Sequence, residues 1–140
     1  MARTQAKIVA DIRKFAPVEG DWRRLDALLN ELWRHRSPAE ALPELLEVFE
    51  RFPEDDGAGV FWAILHGLES LPGYADEVVR SVQRQPSSFG VLMLNRMLNG
   101  GRSEVGDVRL VPLLRQIAQR PELPGTIQRD ARDFAELHGG

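Results

Sequence analysis

A chain of 140 residues, 43% hydrophobic and 28% charged, has the composition of a single globular domain long enough to bury a core without a covalent staple. The absence of cysteine excludes disulfides, thiolate metal sites and cysteine nucleophiles, and fits a reducing compartment. The formal charge of −3 is segregated: residues 1–36 carry eight Lys/Arg against five Asp/Glu, residues 37–77 carry ten acids against Arg51 alone, and residues 78–140 carry nine Arg against six acids.

In chain order, residues 4–36 read as a helix pair. Its second member follows Asp21, with Trp22, Leu25, Leu28, Leu29 and Leu32 at helical spacing. Ser37, Pro38 and Glu40 then have the pattern of an N-cap, a first-turn proline and the acid of a capping box. That helix should run to about Phe52, where Pro53 stops it, although Pro43 allows a start one turn later. Pro72-Gly73 separates two further helices, and Asn99-Gly100-Gly101 reads as a helix end followed by a loop to about Asp107.

A repeat underlies this order. Leu45-Leu46, Phe49 and Pro53 form one copy; Val78-Val79, Val82 and Pro86 a second; Leu113-Leu114, Ile117 and Pro121 a third, with starts 33 and 35 residues apart. After each proline comes a second helix: GVFWAILHGLESL, SSFGVLMLNRML and TIQRDARDFAEL. The expected fold is one all-α domain over 1–140, with about eight helices as stacked antiparallel hairpins in a short HEAT-like α-solenoid. Its units are 38–72, 73–101 and 107–138, preceded by the pair 4–36.

The longest apolar run, Val60 to Leu65, is six residues, against the roughly 20 that a membrane helix needs. The opening MARTQAKIVA holds no run suited to a secretion signal, so a cytoplasmic protein without a membrane partner is expected.

Chemistry is scarce. No two of His35, His66 and His138 lie close enough in sequence to form a helical metal pair, and His138 should fray with the terminus. No glycine-rich phosphate loop and no nucleophile elbow is present. Glu54-Asp55-Asp56-Gly57 resembles a calcium loop but lacks its alternating ligands and closing glutamate, so it reads as a turn with capping acids. Glu40, Glu44 and Glu47 share one helix face and should face water. The expectations are no catalytic residue, no metal, no cofactor, no enzyme and, with dispersed bases around an acidic centre, no nucleic-acid partner. That acidic centre is either a solvated face that keeps the protein soluble or a surface that attracts a basic protein.

The most informative segment is Val60 to Leu71. Phe61, Ile64, Leu65 and Leu68 form a core stripe, and Trp62, His66 and Glu69 form a second stripe one residue over. Matching Phe61 to Val91 of the next unit sets Arg96 opposite His66 and Asn99 opposite Glu69. These five residues could share one recognition face; equally, Trp62 could pack in the core, with Arg96 bridging Glu69.

Phe61-Trp62, His66-Gly67-Leu68-Glu69, Phe89, Asn95-Arg96 and Asn99-Gly100 carry a resemblance. Residues 59–114 are similar to immunity proteins of bacterial polymorphic-toxin and contact-dependent growth inhibition systems, closest to the all-helical set called immunity protein 30. The resemblance implies a small cytoplasmic protein, expected to be a monomer, that binds the C-terminal domain of a cognate toxin and blocks it. Such toxins are often nucleases with basic surfaces, which would give the acids Glu40, Glu44, Glu47, Asp55 and Asp56 a purpose in encounter and selection. Trp62 and Tyr74 are the anchor candidates, with His66, Glu69, Arg96 and Asn99 beside them. A general helical-repeat adaptor holding a peptide or partner helix in a concave groove is the alternative. A small hydrolase using Glu69 and His66 is a third class, which would lose activity on Glu69→Gln.

Overall fold

Amphipathic stripes, most of them closed by proline or glycine, become eight α-helices among residues 3–139, which the computed structural model describes. Helix α1 (Gln5–Lys14) is capped by the Thr4 hydroxyl, which accepts from the Lys7 N–H, and buries Ile8 and Ile12. Helix α2 (Arg23–Trp33) buries Leu25, Leu28, Leu29 and Leu32, and the Asp21 carboxylate accepts the Arg23 N–H at its start.

The next helix departs from the expected cap. Ser37 makes no side-chain cap; its carbonyl accepts the Glu40 N–H at 3.1 Å and opens a 3-10 turn, Pro38–Ala41, before α3 (Leu42–Arg51). Pro43 explains this. It has no N–H to bond the carbonyl four residues back and its ring would clash there, so the α-helix begins with Pro43 in its first turn. Glu40 therefore lies outside the helix that carries Glu44 and Glu47.

Helix α4 (Val60–Glu69) follows a left-handed turn at 57–59, and α5 (Tyr74–Arg84) starts after Gly73. In α6 (Ser88–Asn99), the Ser87 hydroxyl accepts the Gly90 N–H at 2.9 Å. The stretch read as a loop to Asp107 contains a small antiparallel hairpin, β1 (Glu104–Val105) with β2 (Val108–Arg109). Its Val105 is buried and β1 lies against α5, so a local apolar contact orders what looked like a polar connection. Helices α7 (Leu110–Ala118) and α8 (Gly125–Gly139) complete the chain.

Helix α1 packs on α2 and α3, and α3 on α5; α2 packs on α4, α4 on α6, and α6 on α8, with α7 against α6 and α8. Phe61, Ile64, Leu65 and Leu68 are all fully buried, as their stripe requires. His138 does not fray: its Nε2 lies 2.8 Å from Oδ1 of the buried Asn95, and Arg115 donates to the Gly139 carbonyl, so two polar contacts fasten the last turn of α8. Among the described residues, no helix is long and apolar enough to cross a membrane.

The α2–α4 crossing depends on a missing side chain. A Cβ on Gly67 would overlap the ring of Trp33. Gly67→Ala should therefore destabilise the protein by roughly 1 kcal/mol in a urea titration, because overpacking at about 1–3 kcal/mol outweighs the ~1 kcal/mol that alanine gains as a helix former. A more stable variant would mean that Trp33 swings aside freely.

Candidate functional site

A connected set of aromatic rings runs from the first hairpin through the core to the surface. Phe15 meets Trp22 at 5.6 Å, Trp22 meets Phe52 at 5.2 Å and Phe61 at 5.3 Å, and Phe61 meets Phe49 at 5.2 Å and Phe89 at 5.5 Å. From Phe89 the set continues edge-to-face to Trp62 at 5.3 Å, and from Trp62 to the tilted His66 ring at 6.0 Å. Trp62 is 41% exposed, whereas Trp22 is 5% exposed. The indole is thus open to solvent while a buried ring fixes it from behind, which limits the entropy it would lose on binding.

Helical geometry produces this arrangement. The core stripe of α4 turns inward, and the positions one residue on lie along its flank toward α6. Gly67 occupies the opposite flank, against Trp33 of α2. On the α6 side, Arg96 donates through two nitrogens to both oxygens of Glu69, at 2.7 and 2.8 Å. The carboxylate holds the Arg96 guanidinium above its ordinary pKa, against a smaller opposing effect of burial. Both Glu69 oxygens are committed to this pair, and the His66 ring lies against Trp62, so the two do not form a carboxylate–imidazole dyad. Trp62, His66, Glu69 and Arg96 therefore adjoin across α4 and α6. Tyr74 is half-buried at the start of α5, and Asn99 is exposed at the end of α6.

The acidic candidates are elsewhere. At 100° per residue, Glu44 and Glu47 lie about 140° and 160° round α3 from Phe49. The Phe49 ring meets Phe61 of α4 and Phe89 of α6, so both acids face away from the aromatic surface. Nor do they project freely into water. Both are half-buried, and one Glu44 oxygen is buried without a hydrogen-bond partner. Glu40 is exposed.

Asp55 and Asp56 occupy the turn between α3 and α4 and cap it as expected. Asp55 Oδ1 accepts the N–H groups of Asp56 and Gly57, and Asp56 Oδ1 accepts that of Ala58. This turn borders the aromatic surface, because the Ser88 N–H donates to the Pro53 carbonyl at 2.7 Å and Phe89, the next residue, supports Trp62. The five acids thus do not form one surface: Asp55 and Asp56 lie in the turn held against the start of α6, Glu44 and Glu47 lie on the side of α3 away from Phe49, and Glu40 is exposed in the 3-10 turn before α3.

Two structural roles were not visible in the sequence. Asn95 is a buried partner for His138, and Arg51 clasps α1; neither has a sequence pattern that separates it from a solvated polar residue. Among the described residues, no group of three or more metal-binding side chains comes together. Compared with protein-family models, curated proteins and solved structures, the chain matches none.

Proposed function

We infer that this chain is a cytoplasmic immunity protein of the polymorphic-toxin kind, which binds the C-terminal domain of a cognate toxin and blocks it. The observation that carries this reading is the half-exposed Trp62, held by Phe89 and His66 and flanked by the locked Glu69–Arg96 pair. Tryptophan and arginine on a rigid base are the residue types on which interface energy concentrates. The motif residues behind the resemblance support it mainly as scaffold: Gly67 admits Trp33, Asn95 holds His138, and Phe61 joins the core rings. The packing of α1 on α3 on α5, beside α2 on α4 on α6 on α8, supports a finer reading of the fold as stacked hairpins of a short HEAT-like solenoid.

The test is a tagged pull-down from the native bacterium, with mass spectrometry of whatever co-purifies in stoichiometric amount. One large secreted protein, captured through its C-terminal domain and inactivated by this chain, is the expected result. Several unrelated housekeeping proteins would favour the adaptor with a concave groove, and no partner at all would remove the reading.

With the partner in hand, the acids around α3 and the aromatic anchor should separate kinetically. Glu40→Lys with Glu47→Lys should slow association several-fold at low salt and leave dissociation unchanged, since Glu47 faces away from Phe49 and Glu40 is an exposed charge in the turn before α3. Trp62→Ala should instead speed dissociation about 30-fold, the rate equivalent of a ~2 kcal/mol anchor. Unchanged association after the double reversal would make the α3 acids a merely solvated face.

A further inference from the structure

We propose that Trp62 seats an arginine or lysine side chain of the partner, held over the indole and toward the carboxylates of the turn 54–56; this rests on the partner-binding reading above and names the chemistry of its central contact. Trp62 is the one exposed tryptophan, tyrosine or phenylalanine among the described residues, since Trp33, Phe52, Tyr74 and Phe134 are half-buried and the others are buried; the exposed His66 ring lies beside it. An exposed indole face attracts a cation through its quadrupole, more strongly once a partner excludes water.

The charges around the indole favour the same occupant. Arg96, the one arginine or lysine on α4 or α6, is neutralised by two hydrogen bonds to Glu69. The turn that borders Phe89 carries Glu54, Asp55 and Asp56, none of which has a cationic partner within the described residues. Their hydrogen bonds use one oxygen each: Glu54 Oε2 accepts from the Thr126 hydroxyl at 3.3 Å, and Asp55 Oδ1 and Asp56 Oδ1 accept backbone N–H groups. Glu54 Oε1, Asp55 Oδ2 and Asp56 Oδ2 are left to pair with an incoming cation. The aromatic side chain sets where the cation sits, and the turn sets the sign of the charge it admits.

The placement follows from backbone direction. Side chains on an α-helix tilt toward its N-terminus, so Trp62, in the first turn of α4, leans back toward the turn that precedes that helix. The Ser88–Pro53 hydrogen bond holds this turn against the start of α6, where Phe89 backs the indole.

A blocked hexa-arginine peptide, added to the isotope-labelled protein at low salt, tests the contact directly. The indole N–H resonance of Trp62 should shift and saturate, while that of the buried Trp22 stays in place. Trp62→Leu should weaken the peptide about tenfold, as should the combination Glu54→Gln, Asp55→Asn and Asp56→Asn. The second variant keeps the turn intact, because an amide oxygen still accepts the capping N–H groups. Shifts clustered near Glu40 and Glu47 with Trp62 unmoved, equal affinity in the variants, or no binding would each overturn the proposal. The native partner separates the two levels of inference. A captured toxin domain whose affinity ignores Trp62→Leu leaves the immunity reading and removes this contact. Peptide binding at Trp62 without any captured toxin keeps the contact and removes the immunity reading.

Discussion

Phe61→Ala should lower the free energy of unfolding by about 3–5 kcal/mol, a large share of the roughly 5–15 kcal/mol typical of a domain. Phe61 is fully buried, and its ring lies within 5.2–5.5 Å of Phe49, Trp22 and Phe89, so one truncation opens a cavity where α2, α3, α4 and α6 converge. The same ring covers Gly57, where a Cβ would come within 2.6 Å of Phe61 Cδ1 and where φ is +61°. Truncation therefore also removes the support of the left-handed turn that starts α4. Phe61→Leu, which retains volume but loses the ring contacts, should cost less, about 1–2 kcal/mol. Urea titration followed by circular dichroism measures both values. A loss near zero for Phe61→Ala would mean that the four helices are held without the shared rings.

Helix content was legible because it is local. The stripes at three- and four-residue spacing in α2, α4 and α5 report on neighbours along the same helix, and Pro53, Pro86 and Pro121 mark ends that depend on one residue's chemistry. The meeting of rings from positions 15, 22, 49, 61 and 89 was not legible, because no periodicity relates them. The start of α3 fell between these cases: the proline effect was visible, but the cap pattern at Ser37 and Glu40 pointed to a start one turn too early. His138 was misread for a related reason, since its partner Asn95 lies 43 residues away.

The candidate surface was half legible. Phase within α4 placed Trp62, His66 and Glu69 on one flank, but the register between units set Arg96 opposite His66 and Asn99 opposite Glu69, whereas Arg96 pairs with Glu69 and Asn99 is exposed. The sequence left open whether Trp62 packs in the core or lies at the surface; the structure gives it both a buried ring, Phe89, against it and 41% exposure. The acids were less legible because phase along a helix fixes angles but not which side the neighbouring helices occupy. Only the contacts of Phe49 with Phe61 and Phe89 reveal that Glu44 and Glu47 point the other way. The charge count of residues 37–77 also overstates the free negative charge. Arginines from beyond that segment take Glu50, Glu69 and Glu77, through Arg84, Arg96 and Arg80.

Arg51→Met should cost about 2–4 kcal/mol, although by charge count it removes the lone cation from an acidic stretch. Arg51 Nη1 donates to the Phe15 carbonyl at 2.7 Å and Nη2 to the Ile12 carbonyl at 2.9 Å, so the guanidinium closes the C-terminal end of α1 from α3. A helix C-terminus carries partial negative charge and free carbonyls, which a cation satisfies on both counts. Hydrogen bonds to a charged group contribute about 1.5–3 kcal/mol each, reduced here because the side chain is half-buried and its Nε is buried without a partner. Methionine keeps the apolar stem, so the loss isolates the two donated bonds. Arg51→Lys should recover only part of it, because an ammonium lacks the fork that spans both carbonyls. Hydrogen exchange gives a second readout: amides of α1 should lose protection before those of α4 and α6, since the clasp ties the first hairpin to the rest. If Arg51→Met unfolds at the parent's urea midpoint with α1 still protected, desolvation of the guanidinium must cancel what its bonds contribute. The apolar contacts of Ile8, Ile12 and Phe15 would then suffice to hold α1 against α2 and α3.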